Sequence, residues 1–148
     1  MNIVNELTKI RTIFLDTAPV IYYIEAHPQF GPLMKQIVSR FSLGSLRAFS
    51  SVITLTEVLP KPIEMGREDL ARKFVYFLVY GKGIDLIEIP IDMAKLAGKL
   101  KGQNQFLRTL DAIQLAAAID VGVDAFLTND KKLKKIKDIK IICLKDYL

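Results

Sequence analysis

The sequence predicts an α/β fold, a three-layer α/β/α sandwich on a short parallel sheet with strand order 3-2-1-4-5. Two observations support this prediction. Short apolar runs alternate along the chain with longer segments in which apolar residues recur at helical spacing. Short, mainly apolar strands that alternate with helices are typical of a parallel sheet that helices cover on both faces. Right-handed crossovers between such strands then produce the three layers.

The first half of the chain contains two predicted strands, over residues 12–15 and 48–52. The first is a short apolar run that ends at Asp16. We expect three helices around these strands, over residues 19–26, 31–42 and 54–59. Pro19 suits the first turn of a helix, whereas Pro60 should end the third helix because proline disfavours helical geometry in the residue before it.

The second half continues the alternation. Its predicted strands are residues 84–89, 125–128 and 140–143, and its predicted helices are residues 67–80, 93–101 and 109–121. The last of these helices is rich in alanine, and Gly122 follows it, as glycine commonly does at helix C-termini. Because the chain has no internal repeat and no long linker, we expect a single domain over residues 1–148.

Composition narrows the class of protein. A hydrophobic content of 51% is ample for a core and suggests that a partner covers some apolar surface. The longest purely apolar run, Phe74–Tyr80, is too short to span a membrane, and the N-terminus does not resemble a signal peptide. The only cysteine, Cys143, excludes an intrachain disulfide and fits a reducing cytoplasm. Its apolar neighbours predict a buried structural thiol.

The net charge is concentrated at one end of the chain. Residues 131–148 contain seven lysines and two aspartates, which accounts for the whole net charge of +5. A solvated lysine-rich surface would explain this distribution. A patch that attracts phosphate groups is the alternative explanation. The choice between these explanations depends on the residues that lie beside the lysines.

Four acidic residues are expected to meet at one edge of the predicted sheet. Asp16 directly follows the first strand, and Asp130 lies two residues past the fourth. Glu57 is in the opening turns of the helix after the second strand, and Asp111 opens the helix before the fourth. All four positions lie at the carboxyl edge of the strands, where open parallel sheets place their functional sites.

Other acidic residues are predicted to lie elsewhere. Asp85 and Asp124 are at the starts of strands, on the opposite edge of the sheet. Asp92 does follow the third strand, but that strand is outermost in the predicted order. We therefore interpret Asp92 as a helix N-cap. The only histidine, His27, lies in a His-Pro loop at the far end of a helix, where we expect a surface residue and not a ligand.

The four acids together predict a metal site. Each alone has a structural explanation, as a helix cap, a favourable charge at a helix N-terminus or a turn residue. Burying several like charges together is costly, however, unless a cation neutralises them. Carboxylates without histidine or cysteine partners favour Mg²⁺ or Mn²⁺. One or two such ions could polarise a phosphodiester and generate hydroxide from water.

A run of lysines begins directly after the fourth acid. Its members are Lys131, Lys132, Lys134 and Lys135. A basic run beside an acidic metal site suits a polyanionic substrate, because the lysines attract phosphate while the metal ion acts on it. This position favours the phosphate-attracting patch over a merely solvated surface.

One stretch around each acid matches the pattern of a known family. The stretches are residues 14–22, 51–58, 108–117 and 126–133, and they extend over nearly the whole chain in the family's order. In them the chain resembles the PIN-domain nucleases, and within that family the VapC-type toxins of bacterial and archaeal toxin–antitoxin pairs. Ala18 departs from the pattern, since relatives often carry a polar residue such as asparagine there. That residue's hydrogen bond to the site is therefore not expected here.

The resemblance implies an endoribonuclease that hydrolyses RNA and is controlled by a cognate antitoxin protein. It implies that the catalytic residues and Mg²⁺ ligands are Asp16, Glu57, Asp111 and Asp130. Further side chains could contact these acids or the substrate phosphate. These candidates are Thr17, Arg108, Thr128, Asn129, Lys131 and Lys132. For Arg108, an exposed arginine at the start of a helix is the simpler explanation.

Two segments are candidate partner surfaces. Phe74–Tyr80 is apolar around the whole helix, so one face can meet the sheet while another needs a cover. The helix from Phe30 to Phe41, with Tyr22 and Tyr23 before it, is the second candidate. We expect a homodimer through one surface and antitoxin binding along the other, where a basic antitoxin side chain could displace the metal. Alternatively, both helices fill the core completely.

Other families fit less well. A haloacid-dehalogenase-like phosphatase needs a second aspartate where this chain has Ala18. A phospho-receiver module needs paired acids after the first strand and a lysine after the fifth, and we find no such set. The main alternative is a catalytically inactive PIN-like module that binds RNA or protein. The presence of all four acids favours the enzyme.

Overall fold

The computed structural model describes residues 2–148 and contains five strands and eight α-helices within that range. The strands are β1 (Thr12–Leu15), β2 (Arg47–Ser51), β3 (Ile84–Ile87), β4 (Ala125–Thr128) and β5 (Lys140–Cys143). The helices are α1 (Ile3–Leu7), α2 (Thr17–Ile24), α3 (Phe30–Leu43), α4 (Val52–Val58), α5 (Pro60–Glu64), α6 (Glu68–Tyr80), α7 (Ile91–Gln103) and α8 (Thr109–Val121). Two 3-10 helices follow β4 and β5, at Lys131–Lys135 and Leu144–Tyr147.

The five strands form one parallel sheet in the order β3-β2-β1-β4-β5, which confirms the predicted topology. β1 is the central strand, and Phe14 is in register with Phe49 of β2 and Phe126 of β4. The order reverses at β1, because the chain moves outward to β2 and β3 and then returns to the other side. The carboxyl ends of β1 and β4 therefore flank the crevice in which open α/β sheets bind ligands.

Helices cover both faces of the sheet. Successive side chains of a strand point to opposite faces, so Ile13 and Leu15 pack on one side and Phe14 on the other. The first side is covered mainly by α2, α3 and α6, and the second by α7 and α8. On the second side the rings of Phe14 and Phe126 stack, with 5.4 Å between their centroids. These two apolar layers confirm the predicted three-layer sandwich.

The predicted bounds of β1, α8, β4 and β5 agree with the structure, whereas other elements differ at their ends. Two helices were not predicted. α1 is short, but Asn2 caps it by accepting a hydrogen bond from the amide of Val4, and its apolar residues are buried. α5 begins at Pro60, where the sequence predicted an end. Proline is tolerated in the first turn because that N–H has no partner within the helix.

α6 and α3 differ in how much apolar surface they expose. In α6, Phe74 and Leu78 are buried, whereas Tyr76 and Tyr80 are 69% and 71% exposed. These tyrosines border an apolar groove of about 510 Å³, which we call the α6 surface; its apolar members are Leu59, Ile63, Val75, Tyr76 and Tyr80. The apolar face of α3 instead fills the core. Beyond its first residue, Phe30, the prediction of α3 as an exposed partner surface was therefore wrong, because Met34, Ile37 and Phe41 recur on one buried stripe.

Acids outside the carboxyl edge have structural partners or are exposed. At the opposite edge Asp85 pairs with Arg47, and Asp124 accepts hydrogen bonds from two backbone amides of the chain entering β1. Asp92 is exposed in the first turn of α7, where Pro90 and not Asp92 holds the N-cap position. Cys143 is buried, as predicted. Within residues 2–148, no helix has the length and apolar character to cross a membrane.

Candidate active site

A cavity of about 650 Å³ opens at the carboxyl edge of the sheet, where β1 and β4 end. Its lining contains all four acids that the sequence singled out: Asp16, Glu57, Asp111 and Asp130. They come from the end of β1, from α4, from the first turn of α8 and from the end of β4. Residues up to 114 positions apart in the chain therefore line a single cavity.

Asp16 is the N-cap of α2 and lines the cavity. One carboxylate oxygen accepts a hydrogen bond from the backbone N–H of Thr17 at 2.9 Å, and the other accepts one from the Thr128 hydroxyl at 2.8 Å. Burial raises the pKa of Asp16 to about 6 despite these two hydrogen bonds, and the negative charges of Asp111 and Glu57 raise it further. Negative charge is thus unfavourably concentrated here.

Threonines connect Asp16 to two of the other acids. The Thr17 hydroxyl donates a hydrogen bond to Oε1 of Glu57 at 2.7 Å. The Thr128 hydroxyl oxygen accepts a hydrogen bond of 3.1 Å from the amide of Asp130 and itself donates to Asp16. These contacts fix the carboxylates relative to the ends of β1 and β4. Thr17 and Thr128 thus contact the acids, which is the role expected for them.

Asp111 is 7% exposed and lies in the first turn of α8. Its carboxylate accepts hydrogen bonds from the backbone N–H and from the guanidinium of Arg108, three residues earlier. Arg108 therefore contacts an acid of the cavity directly. The sequence suggested either a contact to substrate phosphate or an exposed helix start for this residue. Arg108 is indeed an exposed residue at the start of α8, and in addition it forms an ion pair with Asp111.

Asn129 supports the wall of the cavity without contacting the acids. Its amide nitrogen donates to the Tyr22 hydroxyl at 3.0 Å, and its oxygen accepts from the backbone N–H of Lys145 at 3.0 Å. Tyr22 and Lys145 both line the cavity. Lys145 was not predicted, although it follows β5 closely. The rule that sorted the acids by strand end passed over it, because β5, like β3, is an outermost strand.

Only one lysine of the run after Asp130 lines the cavity. That residue is Lys132, whose backbone N–H donates to Oδ1 of Asp130. Lys134 pairs with Asp146, and Lys135 lies over the ring of Phe106 at 5.2 Å. Lys131 is exposed outside the lining. The run forms a 3-10 helix, so its side chains point in different directions and cannot act as one patch on the cavity.

Part of the cavity lining is an apolar wall, whereas Lys132 and Lys145 form its basic rim. The wall contains Ile21, Tyr22 and Phe30, and the rings of Tyr22 and Phe30 stack with 4.9 Å between centroids. His27 packs against both rings, and its Nδ1 accepts backbone N–H groups of the following loop. It is half-buried and not a free surface residue as predicted, because the loop folds back onto α2. It does not line the cavity.

The donor set suits a hard divalent cation, but the acids are not gathered around one point. Across residues 2–148, no three side chains of Asp, Glu, His or Cys lie close enough together to hold a metal ion. The lining nevertheless offers four carboxylates and no sulfur or imidazole, which is what Mg²⁺ and Mn²⁺ prefer. Binding would require the acids to approach one another and Asp111 to exchange its ion pair with Arg108 for the metal.

The chain was compared with known protein families. The sequence profile described as PIN domain matches residues 13–139, a range that contains all four acids. The chain belongs to the PIN-domain family. PIN-domain proteins of the VapC type are nucleases, and PIN nucleases generally use divalent metal ions. No curated protein sequence matches this chain significantly.

Solved structures share the PIN fold at low sequence identity. A chain of VapBC2 from Rickettsia felis, bound to a promoter DNA fragment, is 17% identical with a TM-score of 0.69; the match covers 89% of this chain and 98% of that one. A chain of DNA-bound VapBC from Salmonella typhimurium is 20% identical with a TM-score of 0.68, covering 91% and 99%. VapC20 from Mycobacterium tuberculosis, a sarcin-ricin loop cleaving toxin, is 14% identical with a TM-score of 0.63, covering 77% and 86%.

Proposed function

We propose that this PIN-domain protein is a divalent-metal-dependent endoribonuclease and the toxin of a toxin–antitoxin pair. One observation carries the proposal: four carboxylates from separate segments line a single cavity at the point where the strand order reverses. The raised pKa of Asp16 supports it: burial is the main cause, the charges of Asp111 and Glu57 add to it, and a bound cation would favour the ionised carboxylate. Four acids that served only as helix caps would not need to share one cavity.

In the proposed reaction, Asp16, Glu57, Asp111 and Asp130 hold Mg²⁺ or Mn²⁺. When bound, the ion would polarise the scissile phosphate and activate water for hydrolysis of the P–O bond. Thr17 and Thr128 orient the carboxylates through the hydrogen bonds described above. The side chains of Lys132 and Lys145 offer positive charge on the rim, where they can hold the flanking phosphates of the substrate.

Several features favour RNA as the substrate. The cavity combines a basic rim with stacked aromatic rings, Tyr22 and Phe30, and unpaired bases of single-stranded RNA stack on such rings. The VapC20 toxin, which shares the fold, cleaves the sarcin-ricin loop. An RNA substrate and the unpaired, buried thiol of Cys143 favour a reaction in the cytoplasm.

The proposed partners are a cognate antitoxin and a second copy of the chain. The fold matches include toxin–antitoxin complexes from three bacteria, among them one from Klebsiella pneumoniae. We assign the second copy to the α6 surface, because Tyr76 and Tyr80 expose large apolar area there. We assign the antitoxin to the aromatic wall of the cavity, from which a basic side chain could reach the carboxylates and exclude the metal.

The decisive experiment measures cleavage of RNA by the purified chain with Mg²⁺, with EDTA, and after Asp16→Asn. The proposal expects cleavage that requires Mg²⁺ and is lost with EDTA and with the substitution. Binding of RNA without metal-dependent cleavage by the wild-type chain would favour the alternative, an inactive PIN-like module that binds RNA or protein. The ion pair between Arg108 and Asp111 is the observation that keeps this alternative open.

A further inference from the structure

A network of four buried polar side chains lies beneath the carboxylate cavity. Its members are Ser50, Ser51, Thr54 and Gln114, and none of them is more than 1% exposed. Ser50 and Ser51 end β2, Thr54 is in the first turn of α4, and Gln114 is on α8 among buried alanine and leucine residues. A glutamine at such a position is unusual, since amide groups are costly to bury without partners.

Each polar group in this network has a partner. The Ser50 hydroxyl lies 2.8 Å from the carbonyl oxygen of Leu15, to which it donates, and 2.9 Å from the Thr54 hydroxyl. The amide nitrogen of Gln114 donates to the Thr54 hydroxyl at 2.6 Å, and the Gln114 oxygen accepts from the Ser51 hydroxyl. Within residues 2–148, no buried side-chain nitrogen or oxygen lacks a hydrogen-bond partner.

The network joins the segments that carry three of the four acids. Leu15 directly precedes Asp16 in the chain. Thr54 lies one helical turn before Glu57 on α4, and Gln114 lies one turn after Asp111 on α8. A displacement of α4 relative to α8 would therefore break a buried hydrogen bond before it changed the spacing of the acids.

Stability alone does not require this arrangement. When both partners of a buried hydrogen bond are replaced by apolar groups of similar shape, the effect on stability is near neutral or favourable. Buried polar networks do, however, constrain their members to one geometry, since each bond is directional and a broken bond leaves a costly unpaired group. Apolar packing would hold the same helices with less angular precision.

We propose that Thr54 and Gln114 are positioning residues that set the relative placement of Asp16, Glu57 and Asp111, and thereby the affinity of the site for a divalent cation. The inference rests on the proposed function, because it requires that these acids bind metal. It extends that function to residues that touch neither substrate nor metal. Gln114 reaches the lining of the cavity, but its amide points to Thr54 and Ser51.

The test compares Mn²⁺ affinity with thermal stability in the full chain. The double variant Thr54→Val with Gln114→Met replaces both partners with residues of similar shape. We expect its melting temperature to stay within a few degrees of wild type, while calorimetry shows Mn²⁺ binding weakened by about tenfold or more. Thr56→Val is the matched control, because the Thr56 hydroxyl on the same helix is exposed and bonds only its own helix.

Thr54→Ser provides a second comparison, since it retains the hydroxyl but removes a core methyl group. We expect it to keep wild-type Mn²⁺ affinity within about twofold even if its melting temperature falls, as removal of a buried methyl group predicts. Equal Mn²⁺ affinity in the wild type and the double variant would overturn the inference. The single variant Thr54→Val, which lacks the hydroxyl, is compared with Thr54→Ser in case the double variant does not fold. Equally weak Mn²⁺ binding by these two single variants would also overturn the inference. Absence of Mn²⁺ binding by the wild type itself would instead refute the proposed function.

Discussion

The guanidinium of Arg108 donates a hydrogen bond to each carboxylate oxygen of Asp111, from Nε to Oδ2 and from Nη2 to Oδ1, both at 3.1 Å. The arginine side chain is largely exposed and the aspartate is buried. Hydrogen bonding to Asp111 raises the pKa of Arg108, and the charges of Glu57 and Asp130 act in the same direction. Arg108 therefore serves as the positive charge of the acidic cavity when no metal is bound.

Removing this arginine should make metal binding easier. Because a cation must displace Arg108 from Asp111, we expect Arg108→Gln to strengthen Mn²⁺ binding by roughly tenfold, the equivalent of one charge-assisted bidentate contact. Arg108→Lys keeps the positive charge but cannot make the bidentate contact, so it should show part of the gain in Mn²⁺ affinity. Lys132→Gln is the control for simple removal of a positive charge at the rim. A gain no larger than that of Lys132→Gln, measured by calorimetry, would contradict the displacement.

Asp16→Asn should separate catalysis from stability. We expect RNA cleavage to fall by about a hundredfold or more, because an amide is a weak ligand for a hard cation. The metal-free variant should melt at the same temperature as the wild type or higher, since the substitution removes a buried charge. Asp138→Asn, an exposed position outside the cavity, should change neither property. Undiminished Mg²⁺-dependent cleavage by Asp16→Asn would refute the assignment of the site.

Two lysines of the cavity lining, Lys132 and Lys145, should account for phosphate binding near the site. Replacing Lys132 and Lys145 with glutamine is expected to weaken RNA binding. It should also reduce the slope of log K against log salt by roughly 0.7 for each RNA phosphate that the protein no longer neutralises. The matched control replaces Lys134 and Lys137 with glutamine. These lysines do not line the cavity, and the change of charge is the same. Equal slopes in the two double variants would show that the rim does not contact the substrate.

The α6 surface should control the association state. We expect the isolated chain to form dimers at tens of micromolar and the double variant Tyr76→Arg with Tyr80→Arg to be monomeric, because charge on an apolar interface is costly to bury. Ile91→Arg tests the specificity of this effect, since Ile91 is equally exposed but lies on α7. Sedimentation equilibrium distinguishes the outcomes. A monomeric wild type that binds no hydrophobic dye would rule out the interface.

Asp124 should contribute stability that depends on pH. Hydrogen bonds from the backbone amides of Arg11 and Thr12 lower the pKa of Asp124 below its usual value. A carboxylate with a lowered folded-state pKa stabilises the protein above its unfolded-state pKa, and this contribution is lost as the pH falls through the folded-state value. We expect Asp124→Asn to cost less than about 1 kcal/mol near neutral pH, because the site is solvent-exposed. Denaturant titrations should show this cost vanish in strong acid, whereas a constant cost would contradict the linkage.

Much of the fold follows from patterns that are local in the sequence. β1 and β4 are mainly apolar runs followed directly by Asp16 and Asn129, and α8 ends at Gly122 in the left-handed conformation, so their limits are sharp. The strand order was also predictable, because right-handed crossovers leave few arrangements. α5 was missed because Pro60 marks a helix start as readily as an end.

The carboxylate positions were predictable from strand ends, but their partners were not. The ion pair of Arg108 with Asp111 and the bond from Thr17 to Glu57 depend on side-chain orientation, which no spacing rule provides. The buried network was missed for a different reason, since Thr54 and Gln114 are 60 residues apart. A usable signal existed, because Gln114 is polar on a helix whose neighbouring positions are otherwise apolar.

The sheet order also determines when during synthesis the active centre can exist. β1 lies between β2 and β4, so its second neighbour is made more than 100 residues after it. Until residues 125–130 have left the ribosome, the nascent chain lacks Asp130. It also lacks β4, whose Thr128 donates a hydrogen bond to Asp16. On the proposed function, metal binding by all four acids therefore requires that Asp130 has already left the ribosome.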